Sequence, residues 1–345
     1  MWQLIGQSQI ISLFTHGIET GTLSHAYLFI GPPHIGKMTL ALQVAQALNC
    51  ESTERPCLEC KSCQKIKSMN HADVQVISLA QTDDATEAKS IGIGQIKELQ
   101  HSANLPPFEG KQRVYIIDGA EVMSTEAANC LLKTLEEPPE GVTIFLLTTN
   151  DRLLPTTVVS RCQRIELTPL SKEDISQSLE KNGIEPQKAR LLAGLSHGCP
   201  GWAISAAQDD SLLLHLNDEL DRIIVVTEAN CEERFTYIAP LAARFNQDRN
   251  SVYEVLDIWL DYWHDLMLVK LGCRDMITYT DRGNNLTELA EGYRIDQIYN
   301  YILKIGAAVD QLHQNANPRL TLEILMLDIP RKERGNPIDQ LSSLS

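Results

Sequence analysis

This 345-residue chain has no apolar run long enough to cross a bilayer as a helix. Runs such as AYLFI at 26–30 and TIFLL at 143–147 fall far short of the about 20 residues that a helical span needs. The start, MWQLIGQSQIISLF, lacks both a basic stretch and a small-residue cleavage site, so no signal peptide is expected and the expected compartment is the cytoplasm. Cations are in deficit, with 30 Lys and Arg against 45 Asp and Glu, a formal net charge of −15. That excludes a surface built throughout for nucleic acid, because counterion release needs clustered cations facing phosphates. Any DNA contact must be local or shared with other chains. Internal repeats and low-complexity tracts are also lacking, and the β signal disappears after residue 170.

What is present divides the chain. The length allows two or three domains, each with its own core. From residue 1 to about 168, short β-prone runs alternate with helical patterns, as in a parallel sheet of βα units. The predicted strands are 26–30, 74–79, 114–118, 143–148 and 163–167. Between them lie a predicted helix over 37–48 and another over 125–137, which starts after Ser124 and stops at Pro138 and Pro139. Three short helices are expected over 169–208, the first capped by Ser171 with Asp174. Residues 209–330 read as a larger helical domain. Its core stripes are Val252, Leu256, Trp259, Trp263, Leu266 and Lys270, and Ile295, Ile298, Ile302, Ile305, Val309 and Leu312. The tail, 331–345, is polar and expected to be loose.

Three stretches carry chemistry. The first, GPPHIGKMTLA, has the glycines Gly31 and Gly36 and the lysine Lys37 of a phosphate-binding loop, placed between a predicted strand and a predicted helix. The hydroxyl that should follow the lysine and ligate magnesium is replaced by Met38, and Thr39 is turned about 100° around the helix. Asp118 ends the strand VYIID where a second magnesium contact belongs. The carboxylate that should stand beside it to orient water is Gly119, and Glu121 could replace it only along an unusual backbone path. ATP or ADP binding stays open on these residues, whereas hydrolysis is not expected.

The second stretch holds Cys50, Cys57, Cys60 and Cys63, with the last three in CLECKSC. Nine cysteines in a reducing compartment, four of them clustered at CxxC spacing, point to a closed four-thiolate zinc site over 50–63. Free cysteines, a redox pair and an iron–sulfur cluster are the alternatives, the last disfavoured by Lys67 at the fourth ligand position of a ferredoxin run. The third stretch, LLPTTVVSRCQRIEL, places Arg161 between two strands, as a solvated charge, a structural ion pair or a finger into a neighbour's phosphate site. Lys61, Lys65 and Lys67, with Lys111 and Arg113, are solvated charge or a partner patch.

Together LSHAYLFIGPPHIGK, the four-cysteine insertion, VYIIDGAEVMSTEAANCLLKTLEEPPEGVTIFLLTTN, LLPTTVVSRCQRIEL, LDYWHDLMLVKLG and NPRLTLEILML resemble the bacterial clamp-loader branch of the AAA+ ATPases. The resemblance implies an α/β AAA+ P-loop domain with a parallel sheet and a zinc insertion, then a helical lid and an all-α collar. It also implies the other clamp-loader subunits (gamma or tau, and delta) as partners, with the sliding clamp and primed DNA reached through the complex. Motor subunits of this family keep a hydroxyl after Lys37, an acid after Asp118 and an Arg in the lid. Here those positions are Met38, Gly119 and Trp202, while Lys37, Asp118 and the sensor-like Thr149 and Asn150 remain. The departures imply a stator that does not hydrolyse ATP itself and presents Arg161 in trans. An active ATPase motor is the alternative.

Overall fold

A computed structural model of the protein describes residues 2–79, 90–245 and 247–332, so the expected loose tail lies outside the described residues from 333 on. The chain forms two compact units, one of residues up to 189 with 196–204, the other of 190–195 with residues from 205 onward.

The first unit runs α1 (Ser8–Thr20), β1 (Ala26–Ile30), α2 (Lys37–Asn49), α3 (Lys61–Lys67), β2 (Val74–Ile77), α4 (Ile93–Ala103) and β3 (Arg113–Asp118). It continues through α5 (Thr125–Glu136), β4 (Val142–Thr148), α6 (Thr156–Val159), β5 (Gln163–Glu166) and α7 (Lys172–Lys181). The five strands pair in parallel in the order β2-β3-β4-β1-β5. Central strands buried on both faces read as continuous apolar runs, and β1 and β4 are buried at every position. Alternate residues feed two cores. Ala26, Leu28, Ile30, Ile117, Ile144 and Leu146 pack with α4, α5 and α6 residues such as Leu99, Leu131 and Val158. Tyr27, Phe29, Ile116, Phe145 and Leu147 pack with Phe14, Leu40, Val44 and Ile66 of α1, α2 and α3. Rings stack within this second core, Tyr27 on Phe145 at 5.6 Å.

Local signals act as expected at the helix starts. Ser124 accepts from the Ala127 N–H at 3.1 Å, and Ser171 from the Asp174 N–H at 3.0 Å. The second strand is shorter than predicted, because β2 ends at Ile77 and Ser78 instead gives its carbonyl to the Gln95 side chain.

Helices α8 (Pro186–Leu195) and α9 (Pro200–Gln208) carry the chain from one unit to the other. The second unit holds α10 (Asp210–Glu228), α11 (Cys231–Arg244), α12 (Arg249–Lys270), α13 (Gly283–Glu291), α14 (Ile295–His313) and α15 (Pro318–Leu327). Trp259, Tyr262, Trp263 and Tyr301 are its largest buried side chains. The stripe on α12 is buried from Val252 to Leu266, whereas Lys270 at its end is exposed. On α14 the expectation is corrected at three positions, since Ile295 is 42% exposed at the helix start and Ile302 and Val309 are only half-buried. The buried face there is Ile298, Tyr301, Ile305, Ala308 and Leu312, set by Tyr301, whose ring meets Trp263 at 4.7 Å and whose hydroxyl donates to the Leu325 carbonyl.

Candidate functional site: a P-loop cradle and an arginine at the opposite sheet end

The loop from Gly31 to Gly36 leaves the C-terminal end of β1 and enters α2, with Gly36 at a left-handed φ of 108° as the helix N-cap. Lys37 turns its ammonium onto the loop itself, donating to the Gly31 carbonyl at 2.5 Å and the Pro32 carbonyl at 2.8 Å. Burial lowers the Lys37 pKa, while the carboxylates of Glu121 and Asp118 pull it back up. Burial raises the pKa of Asp118, with Lys37 opposing. Thr39 is exposed, as its helical position predicts.

The backbone path that Glu121 required is present. Gly119 takes a left-handed φ of 73°, and a 3-10 turn over Ala120–Val122 swings Glu121 back toward the cradle. Its Oε1 accepts from the Thr149 hydroxyl at 2.9 Å and the Thr149 N–H at 3.3 Å, while Oε2 is buried without a partner. Thr149 is thus committed to Glu121. Asn150 caps the next turn by accepting from the Arg152 N–H at 3.0 Å.

The start of α9 closes over the same loop. The Gly201 N–H donates to the His34 carbonyl at 2.9 Å, with His34 at φ 60°. Met38 and Trp202, both departures from the motor pattern, pack against one apolar cluster together with Trp2 and Leu4. The sequence separates these two positions by over 160 residues, so their shared packing was invisible there.

The four cysteines come together around the end of α2 and the start of α3. Their sulfurs all lie within 4.8 Å of one another. A tetrahedral zinc with about 2.3 Å bonds needs sulfurs about 3.8 Å apart, so the donor set fits that ion. Cys60 caps α3, Cys57 Sγ accepts from the Cys60 N–H at 3.3 Å, and the backbone N–H groups of Cys60 and Glu59 draw the Cys57 thiol down to about 6. Burial pushes Cys63 up. Gln46 of α2 donates to the Cys63 carbonyl at 2.8 Å, which ties the insertion to the fold.

Arg161 stands at the other end of the sheet. The register pairs Tyr27 with Gln163 and Ile30 with Glu166, so Gly31 lies just beyond the C-terminal ends of the strands and Arg161 just before their N-terminal ends. About six residues of extended chain, about 20 Å, separate the two levels. The side chain is 35% exposed. It donates to the Thr157 carbonyl at 2.8 Å and pairs with Glu136 at 2.5 Å. Glu136 was not singled out from the sequence, where nothing links it to Arg161 across 24 intervening residues.

Residues 6–171 match the family model described as "DNA polymerase III, delta subunit". The chain is 29% identical to DNA polymerase III subunit delta′ of Bacillus subtilis over 322 residues, 93% of this chain and 95% of that one. It is 32% identical to DNA polymerase III subunit tau of Escherichia coli over 292 residues, which is 78% of this chain but only 44% of tau. A solved DNA polymerase III gamma subunit-related protein of Thermotoga maritima aligns with a TM-score of 0.44 at 18% identity, covering 94% of this chain and all of that one.

Proposed function

Because the chain belongs to the clamp-loader subunit family of DNA polymerase III, we propose that it acts as a delta′-like stator that helps load the sliding clamp onto primed DNA. In this reading Arg161 is catalytic in trans, its guanidinium stabilising charge at the γ-phosphate of ATP held by a neighbouring gamma or tau subunit. The observation that carries it is the position of Arg161 at the end of the sheet opposite its own P-loop, too far to serve ATP bound there. The cradle supports the same division, with Lys37 turned onto loop carbonyls and an apolar Met38 where a magnesium ligand belongs. The test is the reconstituted complex with clamp and primed DNA. Arg161→Ala is expected to assemble normally and lose ATPase activity, and normal turnover by that complex would refute the role.

The division into an AAA+ domain (1–168), a lid (169–208) and a collar (209–330) is part of this proposal. Exposed Tyr299, Leu303, Leu320, Ile324 and Leu327 on α14 and α15 are apolar surface of the kind subunits bury on assembly, in support of gamma or tau and delta as neighbours. Among the described residues no helix is long and apolar enough to cross a membrane, in keeping with work in the cytoplasm.

Zinc held by Cys50, Cys57, Cys60 and Cys63 is a structural element in this reading, since a closed four-thiolate set leaves no position for substrate. Metal analysis of protein purified without added metal should give about one zinc per chain; metal-free, fully folded protein would exclude the site.

One observation favours a second reading, an ATPase motor. Glu121 lies within electrostatic range of Lys37 and Asp118, where a water-orienting carboxylate would act. ATP turnover by the purified chain, abolished by Lys37→Ala, would establish this reading; no turnover by the isolated chain eliminates it.

A further inference from the structure

The ion pair between Arg161 and Glu136 is poorly placed for stability. Glu136 is the last residue of α5, where the helix dipole disfavours a carboxylate, and Glu137 and Glu140 add charge of the same sign. Both partners are substantially exposed, 35% for Arg161 and 51% for Glu136, so solvent screens their attraction.

The geometry is more telling. Nη2 of Arg161 meets Glu136 Oε1 at 2.5 Å, and Nη1 meets the Thr157 carbonyl at 2.8 Å and the Ser160 hydroxyl at 3.5 Å. Thr157 and Ser160 belong to α6 and its C-cap, whereas Glu136 belongs to α5, which packs against α6. Two elements therefore hold one flat guanidinium from different sides. These contacts use three of its five N–H donors and leave the rest for another acceptor.

We infer that Glu136 is the positioning residue for Arg161, fixing the fork so that its free donors meet the γ-phosphate of an adjacent subunit. The inference deepens, and rests on, the trans role proposed for Arg161. A long side chain loses rotamer freedom when it docks, and a partner that removes that freedom beforehand lowers the barrier without touching substrate.

The experiment compares Glu136→Gln, Glu136→Asp, Arg161→Ala and the Glu136→Gln/Arg161→Ala double variant in the reconstituted complex with clamp and primed DNA. The amide keeps the shape and removes the charge. Glu136→Gln is expected to lower kcat about 10-fold with KM for ATP unchanged, and Glu136→Asp to restore most of it. In the Arg161→Ala background, Glu136→Gln is expected to have no further effect on kcat. Thermal unfolding of Glu136→Gln should be unchanged or slightly later, since a charge opposed by the dipole has gone. Wild-type kcat for Glu136→Gln, or an additional loss in the Arg161→Ala background, overturns the inference while the trans role stands. Wild-type kcat for Arg161→Ala removes the trans role and the inference together.

Discussion

At the C-terminal end of the sheet, Lys37, Asp118 and Glu121 gather without pairing closely: Lys37 bonds to loop carbonyls, burial raises the pKa of Asp118, and one oxygen of Glu121 is buried with no partner. At the N-terminal end, Asp73 lies just before β2 and accepts from the N–H groups of Phe108, Glu109 and Gly110 at 2.7–2.8 Å, with Arg113 at 3.6 Å. Nearby, the Asn49 amide oxygen accepts from the Lys111 and Gln112 N–H groups. Arg161, on this second end, is partly exposed and held by one carboxylate, one carbonyl and one hydroxyl. Buried charges that are fully met belong to the scaffold, and charges left partly met are candidates for contact with a ligand or partner.

The largest effect expected from this contrast separates the two cationic side chains. In the reconstituted complex, Arg161→Ala should lower ATPase activity by about 10³-fold or more, and Lys37→Ala should leave it within about twofold. Equal losses would mean that the cradle of this chain is itself a working site, and the contrast between the two ends would fail.

Much of this was legible in the sequence because the signals are local. The apolar runs of β1 and β4, the Ser124 and Ser171 caps, the glycines with Lys37, and the CxxC spacing each act over a few residues. The pairings that define the sites are not local. Glu121 meets Thr149 across 28 positions, and the Gly201 N–H meets the His34 carbonyl across most of the first unit. Gly119 signalled a missing acid, yet its left-handed backbone is also what brings Glu121 in. On α14, periodicity identified a stripe but not which side the Tyr301 ring would claim, so Ile295 was misassigned to the core.

A smaller effect distinguishes the two aspartates. Burial alone would raise the Asp73 pKa, but three backbone N–H bonds and Arg113 outweigh it and hold it below the usual carboxylate value. Its stabilisation is therefore complete above the unfolded pKa of about 3.9 and is lost as pH falls through the lower folded value. Asp118 has the opposite sign: its folded pKa is raised, so its cost is complete above that value and vanishes as pH falls below about 3.9. At pH 7, Asp73→Asn should cost about 2–4 kcal/mol in denaturant unfolding, whereas Asp118→Asn should be neutral or stabilising. Asp73→Asn should also flatten the acid limb of the stability curve. Equal destabilisation by the two substitutions would show that the charges at the C-terminal end are as well satisfied as those at the other.

The smallest effect concerns how tightly the start of α9 seals the cradle. A Cβ at Gly201 would lie 2.6 Å from the His34 carbonyl oxygen and 3.3 Å from its carbon, both backbone atoms that cannot swing aside as a side chain would. Gly201→Ala should cost about 1–3 kcal/mol and speed hydrogen exchange at residues 34–38, where α9 presses on the loop. Gly94 in α4 is the control, since a Cβ there meets nothing within 4 Å. Gly94→Ala should stabilise by about 0.5–1 kcal/mol through the helix backbone alone and leave the P-loop amides unchanged. Faster exchange confined to the P-loop in Gly201→Ala would identify the Gly201–His34 bond as the seal. Unchanged exchange would instead assign the closed cradle to the packing of Met38, Trp202, Trp2 and Leu4 against the apolar core.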